Sequence, residues 1–230
     1  MRHAYFDDRA DAGRELARKL QAYAHRPEVL VLGLPRGGVP VAFEVAAALG
    51  APLDVFLVRK LGVPGREELA MGAIASGGVR VLNEDVIAAL GISTATLAAV
   101  SAAEEDTLAR RERFYRGDRA RLDVRDRIIL LVDDGLATGA SMCAALQALA
   151  QQAPRRLVVA VPVAPPDACE RLRPQADEVV CGSLPADFQG VSEWYRDFSQ
   201  TSDAEVRELL ERAASSAGGR PTQVRLDRRP

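Results

Sequence analysis

The sequence contains no apolar run approaching the roughly 20 residues that a membrane-crossing helix needs. Its opening stretch, MRHAYFDDRADAG, is polar and charged where a signal peptide would carry an apolar core. The expectation is a protein with no membrane span, working in a reducing cytoplasm. Cysteine and histidine are scarce. Cys143, Cys169 and Cys181 leave an odd thiol and no close-spaced metal pattern, and His3 and His25 complete none. All three cysteines are expected to be small buried hydrophobes. An excess of one charge is missing too: 30 Lys and Arg stand against 32 Asp and Glu, a formal net charge of −2. No global field therefore favours nucleic acid or an anionic membrane, and any anion site must be local. There is no internal repeat, no Gly-Lys-Ser/Thr of a Walker-A loop, and no G-x-G-x-x-G after the first strand, which argues against the common NTPase and dinucleotide-binding readings.

What is present is organised around Ile128 to Ser141, IILLVDDGLATGAS. An apolar run of buried-strand length stops at two adjacent carboxylates, Asp133 and Asp134. A turn of small residues follows, and then an Ala-rich helical pattern. The turn Ala137-Thr138-Gly139-Ala140-Ser141 has no bulky side chain, so its backbone N–H groups can close on a ligand at the positive end of the next helix. Thr138 and Ser141 add hydroxyls. Such a turn suits a phosphate monoester. Acidic side chains at the carboxyl end of a strand in an open α/β sheet can accept hydrogen bonds from sugar hydroxyls. Together they describe a cradle for a ribose 5-phosphate. The plainer alternative is a strand-to-helix turn whose Asp and Ser residues cap the helix.

At these residues the chain resembles the type I phosphoribosyltransferases, whose signature is an apolar strand, an acidic pair and a short turn ending in Thr-Gly. The resemblance implies that Asp133 and Asp134 hold the ribose hydroxyls of phosphoribosyl pyrophosphate (PRPP) and, directly or through water, Mg²⁺. It implies that Ala137 to Ser141 hold the 5-phosphate. It also implies an α/β fold with three layers, α/β/α, a mostly parallel central sheet, a flexible lid hairpin and a C-terminal hood.

The rest of the chain fits that frame. Asp8 to Ala24 has apolar positions at helical spacing, with Asp7 or Asp8 as N-cap. Val29 to Leu34 reads as the first buried strand and Val41 to Leu49 as a helix stopped by Gly50. Between them, Pro35-Arg36-Gly37-Gly38 pairs two glycines, which let backbone amides face outward, with a fork of donors on Arg36. That is good chemistry for a diphosphate, and by resemblance it is the pyrophosphate loop. Leu53 to Val58 reads as a second strand, ending in Arg59-Lys60. Orotate phosphoribosyltransferases carry an Arg-Lys at the matching point, which implies pyrophosphate contact and a catalytic role for both. Leu61 to Leu82, Gly-rich and poor in large apolar anchors, reads as the lid, carrying Glu67 and Glu68, with Met71 to Ala75 and Val79 to Leu82 pairing as short strands. Hypoxanthine-guanine enzymes place an Asp where this chain has Ala137, and adenine-type enzymes have Ala there. If a general base is needed it must come from elsewhere, and Glu67 or Glu68 on the lid is the candidate.

Further on, Asn83 to Leu90 and Ser93 to Arg116 read as helices, the charges of RRERFYRGDRAR making a solvated face and exit turn. Met142 to Gln152 is a helix, Arg156 to Val163 a strand, Pro165 to Arg173 a helix and Ala176 to Cys181 a last strand. The segment of about 183–200 gathers Phe188, Trp194, Tyr195 and Phe198 in a chain with only 5% aromatics. It reads as an aromatic cluster closing the C-terminal core. Phe188 matches the place where hypoxanthine-guanine enzymes stack an aromatic on the purine. Asp203 to Ala213 is a final helix, capped by Thr201 or Ser202. One domain over 1–213 and a disordered tail over 214–230 are expected. The function implied is Mg²⁺-dependent transfer of the phosphoribosyl group of PRPP to a small nitrogenous acceptor, a purine-like base foremost, with release of pyrophosphate. The partners implied are those small molecules and a second copy in a homodimer, with no nucleic acid and no membrane. A PRPP- or nucleotide-sensing regulator that keeps the cradle without transfer is the alternative.

Overall fold

The structure is a computed structural model and describes residues 6–217; of the tail expected to be disordered over 214–230, residues 214–217 instead continue the last helix, and the rest lies outside the described residues, as does His3. Five strands form one all-parallel sheet: β1 (Val29–Gly33), β2 (Leu53–Val55), β6 (Ile128–Val132), β7 (Arg156–Val163) and β8 (Glu178–Ser183), in the order β2-β1-β6-β7-β8. Three others, β3 (Val58–Val63), β4 (Arg66–Ala75) and β5 (Val79–Leu82), form a separate antiparallel sheet. The seven α-helices among the described residues are α1 (Arg9–Lys19), α2 (Gly38–Leu49), α3 (Glu84–Leu90), α4 (Thr94–Arg116), α5 (Ala140–Ala150), α6 (Pro166–Leu172) and α7 (Asp203–Ala217).

Continuous apolar runs make the central strands because both faces of a parallel sheet are covered. Val29, Val31, Ile128, Leu130 and Val132 pack under Leu16, Val45 and Leu210 of α1, α2 and α7. Leu30, Leu32, Ile129 and Leu131 pack under Met142, Leu146 and Leu149 of α5. The result is the expected three-layer α/β/α arrangement with a parallel central sheet. The register pairs Gly33 with Val132, so the segments leaving β1 and β6 start side by side.

Four further expectations are corrected. The run Leu53 to Val58 is not one strand. The chain leaves the parallel sheet after Val55, buries Phe56 and Leu57, and re-enters as β3, with Phe56 N donating to Gly33 O and Leu57 N to Ser76 Oγ. Arg59 and Lys60 therefore lie within an antiparallel strand, not at the end of a parallel one. The 61–82 segment is not poor in apolar anchors: Leu61, Met71 and Ile74 are fully buried, and its longest exposed stretch is the hairpin tip, Pro64 to Leu69. Nor does α4 end on a wholly solvated charge run. Tyr115 and Arg116 are buried, Tyr115 donating to Asp203 Oδ1 at 2.5 Å, and Arg116 Nε reaching Asp54 Oδ1 at 2.8 Å while its Nη2 donates to Val55 O. Finally, Cys169 of α6 and Cys181 of β8 form a disulfide, leaving Cys143 half-buried and free.

Candidate functional site

The site is built where β1 and β6 end together. Leu34 N donates to Val132 O across the gap, and the next residues of both segments are folded tightly on each other. A Cβ on Gly37 would lie 2.0 Å from Asp134 Oδ2, and one on Gly38 would lie 2.8 Å from Val132 O and 2.9 Å from Asp133 Oδ1. Backbone atoms leave no room for a side chain at Gly38, whereas a Cβ at Gly37 would have to displace the Asp134 carboxylate. The Pro35–Arg36 peptide is cis. The expected outward-facing amides are partly corrected: Gly38 N–H turns inward to Leu34 O at 3.0 Å.

Asp133 and Asp134 share one small volume. Asp133 Oδ1 accepts from Asp134 N at 2.9 Å. Burial pushes the Asp133 carboxyl well above the usual carboxylate range, and the Asp134 charge adds to it. Asp134 is also raised by burial, with the Arg9 guanidinium pulling it back. Two half-buried like charges are costly unless a cation compensates them. Arg9 supplies part of that: its Nε donates to Asp134 Oδ2 at 2.8 Å, its Nη1 to Ser199 O at 2.6 Å, and its guanidinium lies 3.9 Å over the Phe198 ring. Tyr195 donates its hydroxyl to Asp134 O at 2.5 Å, and burial, then the Asp134 charge, raises its pKa.

The turn after the acids stays open. Ala137, Thr138, Ala140 and Ser141 are exposed, and Gly139 takes a left-handed conformation (φ 74°) as the N-cap of α5, offering no side-chain acceptor to the first helical amides. The capping alternative for the aspartates and Ser141 thus has no support in the geometry, since the cap is glycine. Thr138 Oγ1 lies 3.4 Å from Ala140 N.

The other candidates have partners of their own. Arg36, a third exposed, has its Nη1 4.0 Å from Asp203 Oδ1 of α7. Arg59 pairs with Glu104 of α4. Lys60 Nζ lies 3.3 Å from Glu68 Oε2 across the hairpin, with Glu68 fully exposed, and Glu67 Oε1 accepts from Gly65 N. Arg59, Lys60, Glu67 and Glu104 line a cavity of about 540 Å³ between β3 and α4. Phe188 packs on the cluster of Phe6, Ala12, Val163, Trp194 and Tyr195. That agrees with an aromatic cluster closing the core.

Arg9, Tyr195 and Phe198 were absent from the sequence-based site. One signal for Arg9 existed: it opens α1, where the helix dipole favours acids over cations, so a cation there calls for a partner. Among the described residues no group of three or more His, Cys, Asp or Glu could hold a metal. The donor set is two adjacent carboxylates. That fits Mg²⁺, which keeps several waters and is held by one or two carboxylates together with substrate oxygens.

Comparison with known proteins adds the following. A family model described as a phosphoribosyl transferase domain matches residues 64–197. Two Mycobacterium tuberculosis proteins, Rv0571c and MT0597, each provisionally named a phosphoribosyl transferase, are 53% identical to the chain over 209 residues. The match covers 90% of this chain and 47% of theirs, so the chain spans about half the length of these relatives. The crystal structure of TT1426 from Thermus thermophilus superimposes with a TM-score of 0.79 at 47% identity, covering 90% of this chain and 97% of that one.

Proposed function

The chain belongs to the phosphoribosyl transferase family, and from that premise we propose that it transfers the 5-phosphoribosyl group of PRPP to a nitrogen nucleophile, a purine-like base foremost, with release of pyrophosphate. The observation that carries the reading is the closure of Gly37 and Gly38 onto Asp134 and Asp133. That contact sets the loop read as the diphosphate binder directly against the acidic pair read as the ribose binder.

In this reading the open turn Ala137 to Ser141 receives the 5-phosphate on the first amides of α5. The carboxylates of Asp133 and Asp134 accept from the ribose hydroxyls. Arg36, with the loop Pro35 to Gly38, receives the pyrophosphate. The bond from ribose C1 to the pyrophosphate oxygen breaks, that oxygen keeping the electron pair, while the nucleophile's nitrogen bonds to C1 through an oxocarbenium-like state. Bound Mg²⁺ would neutralise charge on the leaving pyrophosphate. Arg59 and Lys60 must exchange their partners Glu104 and Glu68 to reach the same group. Release of Lys60 would free Glu68 to take the proton that the nucleophile loses. Alignment of donor and acceptor could supply several kcal/mol of barrier lowering. Work in the cytoplasm and a homodimer belong to the same reading, the first resting on cysteine usage and the second on family resemblance.

The test is a melting experiment. PRPP with Mg²⁺ should raise Tm, and the double variant Asp133→Asn, Asp134→Asn should abolish the rise; an undiminished rise in that variant refutes the assignment. Release of pyrophosphate from PRPP across a panel of nucleobases and small amines then identifies the acceptor. Binding without release for every acceptor would favour the sensing alternative.

A further inference from the structure

Arg9 is built into the site from a distant part of the chain. Its side chain is 12% exposed although it opens a helix, a position where a cation works against the dipole. Three contacts compensate: Asp134 Oδ2, the Ser199 carbonyl and the Phe198 ring. A guanidinium is planar and permanently charged, so donating in two directions while stacked on a ring fixes its plane, and with it the carboxylate it holds. Its Nε also borders the diphosphate loop, 3.2 Å from where a Gly37 Cβ would stand.

The acceptor count gives this contact a consequence. Asp133 Oδ1 is occupied by Asp134 N–H and Asp134 Oδ2 by Arg9. One oxygen of each aspartate, Asp133 Oδ2 and Asp134 Oδ1, is left for a ligand. Acceptors on two adjacent residues suit two adjacent hydroxyls of one sugar ring. We propose that Arg9 is a positioning residue for the sugar donor, clamping Asp134 Oδ2 so that Oδ1 faces the ribose, and that it does so only while the Phe198–Ser199 segment is seated on its guanidinium. The inference rests on the PRPP reading of the site. It makes recognition of the ribose depend on two segments outside the motif: the first turn of α1 and the stretch after Tyr195. Without Arg9, Asp134 would be a half-buried carboxylate with no cation beside Asp133, free to turn away from the sugar.

The experiment is calorimetric titration of wild type, Arg9→Met and Arg9→Lys with PRPP and Mg²⁺, and separately with inorganic phosphate, whose turn Arg9 does not touch. Arg9→Met should weaken PRPP about tenfold or more and leave the phosphate affinity within about twofold, and Arg9→Lys, which keeps the charge, should recover a good part of the loss. Unchanged PRPP affinity in Arg9→Met overturns the inference. Equal losses for PRPP and phosphate overturn it as well, because they would mark Arg9 as a packing residue. Should Arg9→Met not fold, Phe198→Leu decides by the same pair of titrations, with about threefold weaker PRPP and unchanged phosphate expected. Wild-type protein that binds phosphate but not PRPP is a separate result: it removes the proposed function and this inference together.

Discussion

At the scale of single residues, the site depends on atoms that are missing as much as on those present. Gly37 has no Cβ, and one placed there would meet Asp134 Oδ2 at 2.0 Å. Gly37→Ala should therefore turn the Asp134 carboxylate and break its pair with Arg9, lowering PRPP affinity about tenfold or more while the fold persists. Titration of the soluble variant checks this, and unaltered affinity would contradict the proposed closeness of loop and acid. Tyr115, whose hydroxyl shares Asp203 Oδ1 with Arg36, carries a clear pH signature. Burial, and then its hydrogen bond to Asp203, push its hydroxyl up to about 12. The unfolded chain releases that proton near pH 10 and the folded chain holds it longer. The contribution is thus complete below pH 10 and is lost as pH rises from 10 through about 12. Tyr115→Phe should flatten that part of the stability curve, as measured by urea unfolding across the alkaline range.

At the scale of elements, the antiparallel sheet is where expectation and structure part most. LDVFLVRKLGV reads as one strand and its exit, because alternation and apolarity are the only local cues. The break after Val55 comes from Ser76 and Gly33, which capture the Leu57 and Phe56 amides, and no local pattern encodes those partners. The consequence is that Lys60 stands on β3 facing Glu68. If it stabilises departing pyrophosphate, Lys60→Ala should lower turnover about tenfold or more while changing the affinity for a nucleoside monophosphate product little. Equal losses in rate and product binding would remove Lys60 from that role. The end of α4 shows the same limit. The run RRERFYR carries a solvated pattern on most of its length, yet Arg116 turns inward because Asp54 on β2 is buried and needs a cation.

At the scale of the whole molecule, the parallel register sets the site's geometry. Pairing Gly33 with Val132 puts the exits of β1 and β6 side by side, and α1 and the segment ending at Ser199 close over them. Phe6 bridges to Tyr195, with Phe6 N donating to Trp194 O and Arg196 N to Phe6 O. At the sheet's edge, Arg116 and Asp54 tie α4 to β2. Arg116→Met would leave the Asp54 charge buried beside only two backbone amides, those of Val55 and Leu122. It should cost about 3 kcal/mol of stability, read from denaturant midpoints. A loss below about 1 kcal/mol would show that the pair is near neutral in worth.

The strands of the parallel sheet, the helices between them and the acidic pair with its small-residue turn were legible in the chain itself. Each is a local consequence of apolar periodicity, capping chemistry or residue size. What only the tertiary structure decided was who stands beside whom. Arg9, Tyr195 and Phe198 gather around Asp134 from segments far from it in the chain, Cys169 meets Cys181, and Arg59 faces Glu104. Such contacts depend on the register and layering of the sheet, and an ion pair or an aromatic stack leaves no periodic trace in the sequence of either partner.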